Sequence, residues 1–355
     1  MWLAWSQSTD QSRPAVLLDG KTTSLRVELA GGSISDFHLA DLRLNPLTWD
    51  SAGSGSGGSP RPMGHFLCLD RWGPPSEAER RNGMPFHGEA SRVMWRLAVP
   101  PRVIAEHLEA EMSAVLPLAG LQVVRRIRSS QNAAFFSVTE RVTNTNRLGR
   151  IYNMVQHPTI APPFLDAHTL VDSNGTRGFV QSSPLPNPQQ SAVKWPRASQ
   201  NGVPVDLRRL DSGPAPSVVS YTIEDEYGWT TASSVSRGLL IGYIWKSADY
   251  PWFNAWQHVE NGRPAARGLE FGTTGLHEPF PVLVRQGRIF DRPIYSYLDA
   301  SETATRSYAA FLFRIPPDYK GVAKLSYANG HLQLFEHGGK ADRTLRMEVG
   351  DLFPD

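Results

Sequence analysis

Residues 134–143 read Ala134-Phe135-Phe136-Ser137-Val138-Thr139-Glu140-Arg141-Val142-Thr143. Every second side chain, at positions 136, 138, 140 and 142, falls on one largely apolar face of an extended chain. Residues 121–128 show a weaker form of the same alternation. Further strand-like runs lie at 15–18, 24–29, 93–99, 218–223, 238–245, 307–315, 322–327, 331–335 and 344–349.

Helical signals are sparse, and residues 76–81 are the main candidate for a short helix. The 30 glycines and 28 prolines disfavour long helices. Many antiparallel strands with few short helices predict an all-β fold, a large sandwich or barrel. We interpret two stretches as loops: the Gly/Ser-rich residues 51–60 and the proline-rich residues 181–216.

Composition limits the function. The 355 residues carry a net charge of +2, with no basic run of the kind that binds nucleic acid. The single cysteine, Cys68, excludes an internal disulfide or a cysteine-based zinc site and is expected to be a small buried hydrophobe. The first residues lack the basic and apolar stretches typical of a signal peptide, so none is expected, and no 18-residue apolar run occurs. We expect one domain over 1–355 in a cytoplasmic protein without a membrane partner.

Several segments, in order, resemble one known family. They are Gly32-Ser33-Ile34-Ser35 with Asn45-Pro46-Leu47, Asp70-Arg71-Trp72-Gly73, Pro85-Phe86-His87-Gly88, the hairpin around Arg126 and 138–144, Tyr152-Asn153 with His157-Pro158, and Gly268-Leu269-Glu270 with His277-Glu278-Pro279. Together they are similar to the galactose mutarotase-like superfamily, the aldose 1-epimerases and their relatives. The resemblance covers about residues 15–350 and implies an antiparallel β-supersandwich with an open cleft for a monosaccharide.

The resemblance implies an acid–base mechanism that interconverts the α and β anomers of a free sugar. Glu270 is the expected base, beside apolar neighbours that would raise the pKa of its carboxyl. His157 is the expected acid, kept protonated by a nearby carboxylate and fixed by Pro158. His87 is the expected second donor, and Gly88 would permit close backbone approach. No metal or other cofactor is expected.

The expected sugar-binding residues are Arg71, through bidentate hydrogen bonds, and Trp256, through stacking, together with His277 and Asn153. Pairing with Asp70 or Glu77 on the surface is the alternative interpretation of Arg71. Trp252 is a second stacking candidate, although core packing is the better interpretation for one of the two tryptophans. The chain departs from the family after each histidine, with Glu89-Ala90-Ser91 and Arg92 in one place and Thr159-Ile160-Ala161 in the other. These departures concern the identity of the sugar more than the fold. We expect a monomer or a homodimer.

Two other classes of function stay open. The same fold can serve as a non-catalytic carbohydrate-binding protein. A carbohydrate hydrolase or lyase would need a second carboxylate opposite Glu270, for which Glu89 and Glu278 are the candidates. A phosphorylated sugar would require a basic cluster at the cleft, and Arg80 and Arg81 beside Arg71 are a candidate for it.

Overall fold

The computed structural model describes residues 13–52, 57–210 and 217–353. The first strands are β1 Ala15–Asp19, β2 Thr23–Glu28, β3 Ile34–Leu39, β4 His65–Asp70, β5 Arg96–Ile104, β6 His107–Leu116, β7 Leu121–Ser130, β8 Phe135–Asn144, β9 Arg150–Ile160, β10 Leu170–Ser173, β11 Gly175–Val180, β12 Val193–Lys194 and β13 Arg197–Gln200. They are followed by β14 Val203–Asp206, β15 Val218–Ile223, β16 Tyr227–Ser234, β17 Leu239–Lys246, β18 Trp252–Glu260, β19 Arg263–Gly272, β20 Arg288–Ile289, β21 Arg292–Pro293, β22 Ser296–Leu298, β23 Thr303–Arg314, β24 Val322–Ala328, β25 His331–Glu336 and β26 Leu345–Glu348.

The described part of the chain contains two short α-helices, α1 Glu77–Arg81 and α2 Phe280–Gln286. Helix α1 begins with a capping box, in which the Ser76 hydroxyl accepts from the Glu79 backbone N–H and the Glu79 carboxylate accepts from the Ser76 N–H. Single 3₁₀ turns occur at Ala90–Arg92, Pro188–Ser191, Val235–Arg237 and Ala341–Arg343. None of the described helices is long and apolar enough to cross a membrane.

Two large antiparallel sheets form the body of the fold. The first has the order β1-β2-β3-β4-β9-β19-β18-β15-β11-β12, with β22 also paired to β9. The second has the order β10-β16-β17-β23-β8-β7-β6-β5. A three-stranded sheet, β24-β25-β26, packs through a separate apolar cluster on the outer face of the second sheet.

Alternation along the strands separates the interior from the outer faces. On β8, Phe136, Val138 and Val142 join the core between the two large sheets, whereas Phe135 belongs to the cluster beneath the three-stranded sheet. Glu140 shares the inner face, is fully buried, and forms an ion pair of 2.6 Å with Arg125 on β7. A charged residue is tolerated in the apolar stripe because its partner is buried beside it.

The all-β prediction is confirmed, and the helix at 76–81 is present. The strand expected at 93–99 begins three residues later, as β5. The prediction of a loop over 181–216 is partly wrong, because this segment contains β12 and the hairpin β13–β14. Its last six residues lie outside the described part of the chain, as do residues 53–56 of the Gly/Ser-rich stretch. Cys68 is buried and unpaired, as predicted.

Candidate active site

A cavity of about 440 Å³ lies against the face of the first sheet that points away from the core. The described residues that line it are Trp49, Ser51, Pro62, Phe66, Trp72, Phe86, His87, Arg92, His157, Gln181, Ser217, Val218, Trp256, Glu270 and His277. Of these, Glu270 carries the one carboxylate and Arg92 the one guanidinium. The volume is within the usual range for a small-molecule site, and the wall is mainly aromatic.

The sheet register places the central residues in a row. Phe66 on β4 lies opposite His157 on β9. The pairs on either side, Phe271 with Gln156 and Gly268 with Thr159, put Glu270 on β19 opposite His157. Since side chains alternate along each strand, residues opposite one another in register share a face. The sheet itself therefore brings a carboxylate and an imidazole together, although 113 positions separate them in sequence.

Glu270 is 1% exposed and receives two contacts in the cavity. Its Oε2 accepts a hydrogen bond of 2.7 Å from the indole N–H of Trp72. Its Oε1 lies 3.1 Å from Nε2 of His157. Burial raises the pKa of the Glu270 carboxyl well above its ordinary value, and the hydrogen bond from Trp72 opposes part of that rise. The raised pKa agrees with the direction expected from the sequence.

His157 differs from the expectation that a nearby carboxylate keeps it protonated. Complete burial lowers the pKa of His157 from 6.5 to about 3, so the ring is neutral near pH 7. With the pKa of Glu270 raised and that of His157 lowered, burial favours the uncharged form of each group, and the 3.1 Å separation of Oε1 and Nε2 is short enough for one proton to pass between them. On the other side of the ring, Nδ1 lies 2.9 Å from the Thr159 hydroxyl.

His87 enters the cavity from the segment between α1 and β5. Its φ of 66° is in the left-handed region, and the backbone N–H of Gly73 donates to its Nδ1 at 3.1 Å. Because Nδ1 accepts this bond, the neutral ring carries its hydrogen on Nε2. Gly88 forms a parallel bridge with Leu69, whose carbonyl a Cβ at position 88 would strike. The close approach expected at Gly88 is therefore present.

His277 completes a group of three imidazoles, with ring centres 5.5 Å from His87, which is itself 5.5 Å from His157. Burial lowers the pKa of His277 to about 4 and that of His87 well below its ordinary value. The backbone N–H of His277 donates to Gln181 Oε1 at 2.9 Å. The three rings can thus act as neutral hydrogen-bonding groups. No group of His, Cys, Asp or Glu within the described ranges is arranged to hold a metal ion.

Trp256 is also part of the cavity wall, with its ring centre 5.8 Å from that of His157 and 6.0 Å from that of Trp49. Its side chain is partly exposed, as a surface for a ligand must be. Trp252 is fully buried and donates through its indole N–H to the Pro293 carbonyl at 3.1 Å. Of the two tryptophans, Trp252 is therefore the one that packs in the core.

Arg71 and Asn153 require a correction. The Arg71 guanidinium is buried and bonds to the carboxylates of Asp70 and Glu79, so it is committed to other side chains rather than to a ligand. Asn153 is fully buried, and its Oδ1 accepts from the Thr273 hydroxyl. Both residues belong to the scaffold beneath the site.

Sequence reasoning missed several residues of the wall, chiefly Trp49, Trp72, Phe86 and Gln181. Trp72 lies two residues beyond the end of β4, within the segment Asp70-Arg71-Trp72-Gly73, and its place in that segment is the signal that could have indicated it. Gln181 begins the proline-rich segment and Ser217 directly follows it, and both line the cavity. No local motif marks Trp49, which reaches the site from the segment between β3 and β4.

No protein-family model and no curated protein sequence matches the chain. Solved structures do. A galactose mutarotase-like protein from Clostridium acetobutylicum has a TM-score of 0.62 at 12% identity, covering 86% of this chain and 96% of its own. A galactose mutarotase related enzyme from Lactobacillus acidophilus has a TM-score of 0.60 at 11% identity, covering 85% and 98%. The Slr1438 protein from Synechocystis sp. PCC 6803 has a TM-score of 0.61 at 11% identity, covering 88% and 100%.

At this level of identity the likeness establishes the fold. The chain is an all-β protein built on two large antiparallel sheets. Its fold is that of the galactose mutarotase-like proteins.

Proposed function

We propose that this protein is an aldose 1-epimerase that interconverts the α and β anomers of a free monosaccharide. The observation that carries the proposal is the 3.1 Å contact between Glu270 Oε1 and His157 Nε2, at the base of an aromatic cavity. The solved structures of the same fold include a galactose mutarotase related enzyme, which adds support from analogy of fold.

Ring opening requires that the C1 hydroxyl lose a proton and that the ring oxygen gain one. Transfer of the shared proton from Glu270 to His157 produces a carboxylate and an imidazolium, and hydrogen bonds from the bound sugar to the carboxylate favour this form. Glu270 then takes the proton of the C1 hydroxyl, and His157 gives its Nε2 proton to the ring oxygen. After C1 rotates, the two transfers reverse and the ring closes on the other face. Each positioned acid or base contributes about 10²–10⁴-fold.

The neighbouring residues have supporting roles in this proposal. The free Nε2–H of His87 is a donor for the ring oxygen or an adjacent hydroxyl, and the His277 ring lies beside it. Trp256 offers a face for the apolar side of the sugar ring. Together, His87, His277 and Trp256 would hold the sugar so that C1 lies against the Glu270–His157 pair.

Three observations weigh against the alternatives. Glu89 accepts from the backbone N–H groups of Leu118 and Ala119, away from Glu270. Glu278 is not part of the cavity wall, so a hydrolase with two facing carboxylates has no second member among the described lining residues. The basic cluster considered for a phosphate does not form at the cavity. Arg80 and Arg81 pair instead with Glu77 on the exposed side of α1.

The test is NMR exchange between the anomers of several free aldoses, with and without the protein. We expect accelerated exchange for at least one sugar and a loss of at least about 10²-fold in kcat for Glu270→Gln. Glu278→Gln, a matched change on the same segment outside the cavity, should leave the rate unchanged. Absence of acceleration for every sugar would overturn the proposal, and line broadening in that case would identify a binding protein.

A further inference from the structure

The Thr159 hydroxyl is bound to the side of the His157 ring that faces away from Glu270. Thr159 is 0% exposed, and its Oγ1 lies 2.9 Å from His157 Nδ1 and 3.4 Å from the His157 carbonyl oxygen. Both residues lie on β9 two positions apart, so their side chains share a face. At the sequence level Thr159 is a departure from the family pattern, with no role attached to it.

We propose that Thr159 is a positioning residue that keeps a hydrogen on Nδ1 of His157, so that Nε2 is the ring nitrogen that exchanges protons. A hydroxyl has one hydrogen to donate. Its donation to the His157 carbonyl leaves the oxygen lone pairs free to accept from Nδ1–H. The carbonyl oxygen can only accept a hydrogen bond. This arrangement therefore gives a hydrogen-bond partner to all three atoms, Thr159 Oγ1, His157 Nδ1 and the His157 carbonyl oxygen.

The position of that hydrogen decides what Nε2 can do. With a hydrogen on Nδ1, the neutral ring presents a lone pair at Nε2, and the shared proton lies on Glu270 Oε1. Moving that single proton to Nε2 yields the carboxylate and imidazolium of the proposed reaction. The hydrogen on Nδ1 stays in place in both forms, so each transfer to or from the sugar balances at Nε2 and Glu270 alone. This step of the inference rests on the proposed function.

Without the hydroxyl, the other neutral form becomes available. The ring would then carry its hydrogen on Nε2, pointing at Glu270, and Nδ1 would be a bare acceptor in an apolar wall. Such a ring cannot receive the shared proton, because Nε2 is already occupied. The active form would then have to hold its Nδ1–H without the Thr159 oxygen, and the loss of a buried hydrogen bond is costly.

Several ionisable groups surround the pair, and each has to be considered in a pH measurement. Glu270 faces His157 from β19, and Cys68 lies on β4 beside Glu270. The His87 ring faces the pair from the segment between α1 and β5, the His277 ring lies beside it from the segment between β19 and α2, and Arg92 lies at the cavity wall. None of these groups touches Nδ1, whose side-chain partner is Thr159.

The experiment combines histidine ¹⁵N NMR at neutral pH with anomer-exchange kinetics. In the wild-type protein, we expect the His157 signals of a neutral ring protonated on Nδ1. In Thr159→Val, which removes the hydroxyl and keeps the shape, we expect the signals to move toward the Nε2–H form. We also expect kcat to fall about 10–100-fold, as for other groups that orient a reacting side chain, with KM changed less than about twofold. Thr159→Ser, which keeps a hydroxyl, should restore both the NMR pattern and kcat.

A wild-type His157 protonated on Nε2 would overturn the inference without any variant, so it does not depend on the stability of Thr159→Val. Unchanged NMR signals and kcat in Thr159→Val would also overturn it. If the wild-type protein shows no epimerase activity, the proposed function fails, but the NMR comparison still decides whether Thr159 fixes the ring. The two failures are therefore distinguishable.

Discussion

Gln156 and His157 are neighbours on β9, but their side chains leave opposite faces of the same sheet. Gln156 points into the core, where its Nε2 donates to Glu140 at 2.6 Å and its Oε1 lies 3.1 Å from the His65 ring. His157 points into the cavity, toward Glu270. One peptide bond thus separates the buried polar network between the sheets from the candidate acid–base pair.

Arg125 should be a large contributor to stability. We expect Arg125→Met to lower the free energy of unfolding by about 3–5 kcal/mol, because Glu140 would remain buried without its cation. The double change Arg125→Met with Glu140→Leu should be less destabilising than the single one. Urea unfolding of the wild type, the two single variants and the double variant measures this. If the double variant loses as much unfolding free energy as the two single variants together, the ion pair does not couple the two residues.

Trp72→Phe should change the pH dependence of catalysis. The indole N–H stabilises the charged form of Glu270, so its loss should raise the pKa of that carboxyl further. A hydrogen bond to a charged group contributes about 1.5–3 kcal/mol, so we expect kcat at neutral pH to fall about 10- to 100-fold. The pH–rate profile should move to higher pH. Trp252→Phe, which removes a hydrogen bond to a backbone carbonyl in the core, should lower stability and leave the profile in place.

Trp256→Ala should weaken sugar binding more than it slows the reaction. The ring is a partly exposed wall of the cavity and makes no hydrogen bond to the Glu270–His157 pair. Aromatic contacts contribute about 0.5–1.5 kcal/mol, which corresponds to a rise in KM of about two- to tenfold with little change in kcat. Trp256→Phe should recover most of the affinity. A fall in kcat at constant KM would show that Trp256 acts on the reacting centre instead.

The buried imidazoles should make the protein sensitive to acid. The pKa of His157 is lowered to about 3 and that of His277 to about 4, whereas both should titrate near 6.5 in the unfolded chain. The unfolded state therefore binds more protons between these values, and stability should fall as pH drops from about 6.5 toward 3. Each unit of lowering corresponds to about 1.4 kcal/mol at full burial, and less for the partly exposed His277.

Urea midpoints at pH 7.5 and 4.5 test this for the wild type and for His277→Gln. The variant should lose less stability between the two pH values, because it lacks one of the depressed groups. Equal losses would indicate that His277 titrates normally in the folded protein. Glu270 acts in the opposite direction: its raised pKa adds stability at low pH that is lost as pH rises through its folded value.

The strands were predictable because they follow from local alternation, whereas the central pair was expected from the resemblance of its segments to a known family. Alternation over 134–143 gave the inner face of β8, and the segments around His157 and Glu270 indicated a shared site. Arg71 was assigned to sugar hydroxyls because its type suits them, whereas its guanidinium pairs with the adjacent Asp70 and with Glu79 of α1, a contact that the sequence does not reveal. The prediction that His157 is protonated was wrong for a similar reason. Burial lowers the pKa of the ring, and the extent of that burial depends on the assembled sheets.

The row that joins Phe66, His157 and Glu270 has a consequence for quality control of the fold. A displacement of β9 by one residue would put Gln156 into the cavity and His157 into the interior, since a slip in register exchanges the two faces of a strand. Such a molecule would lose its core network and its acid–base pair in the same event. Specific activity should therefore be proportional to the fraction of molecules in which β9 has the correct register. A misregistered species with partial activity is not expected.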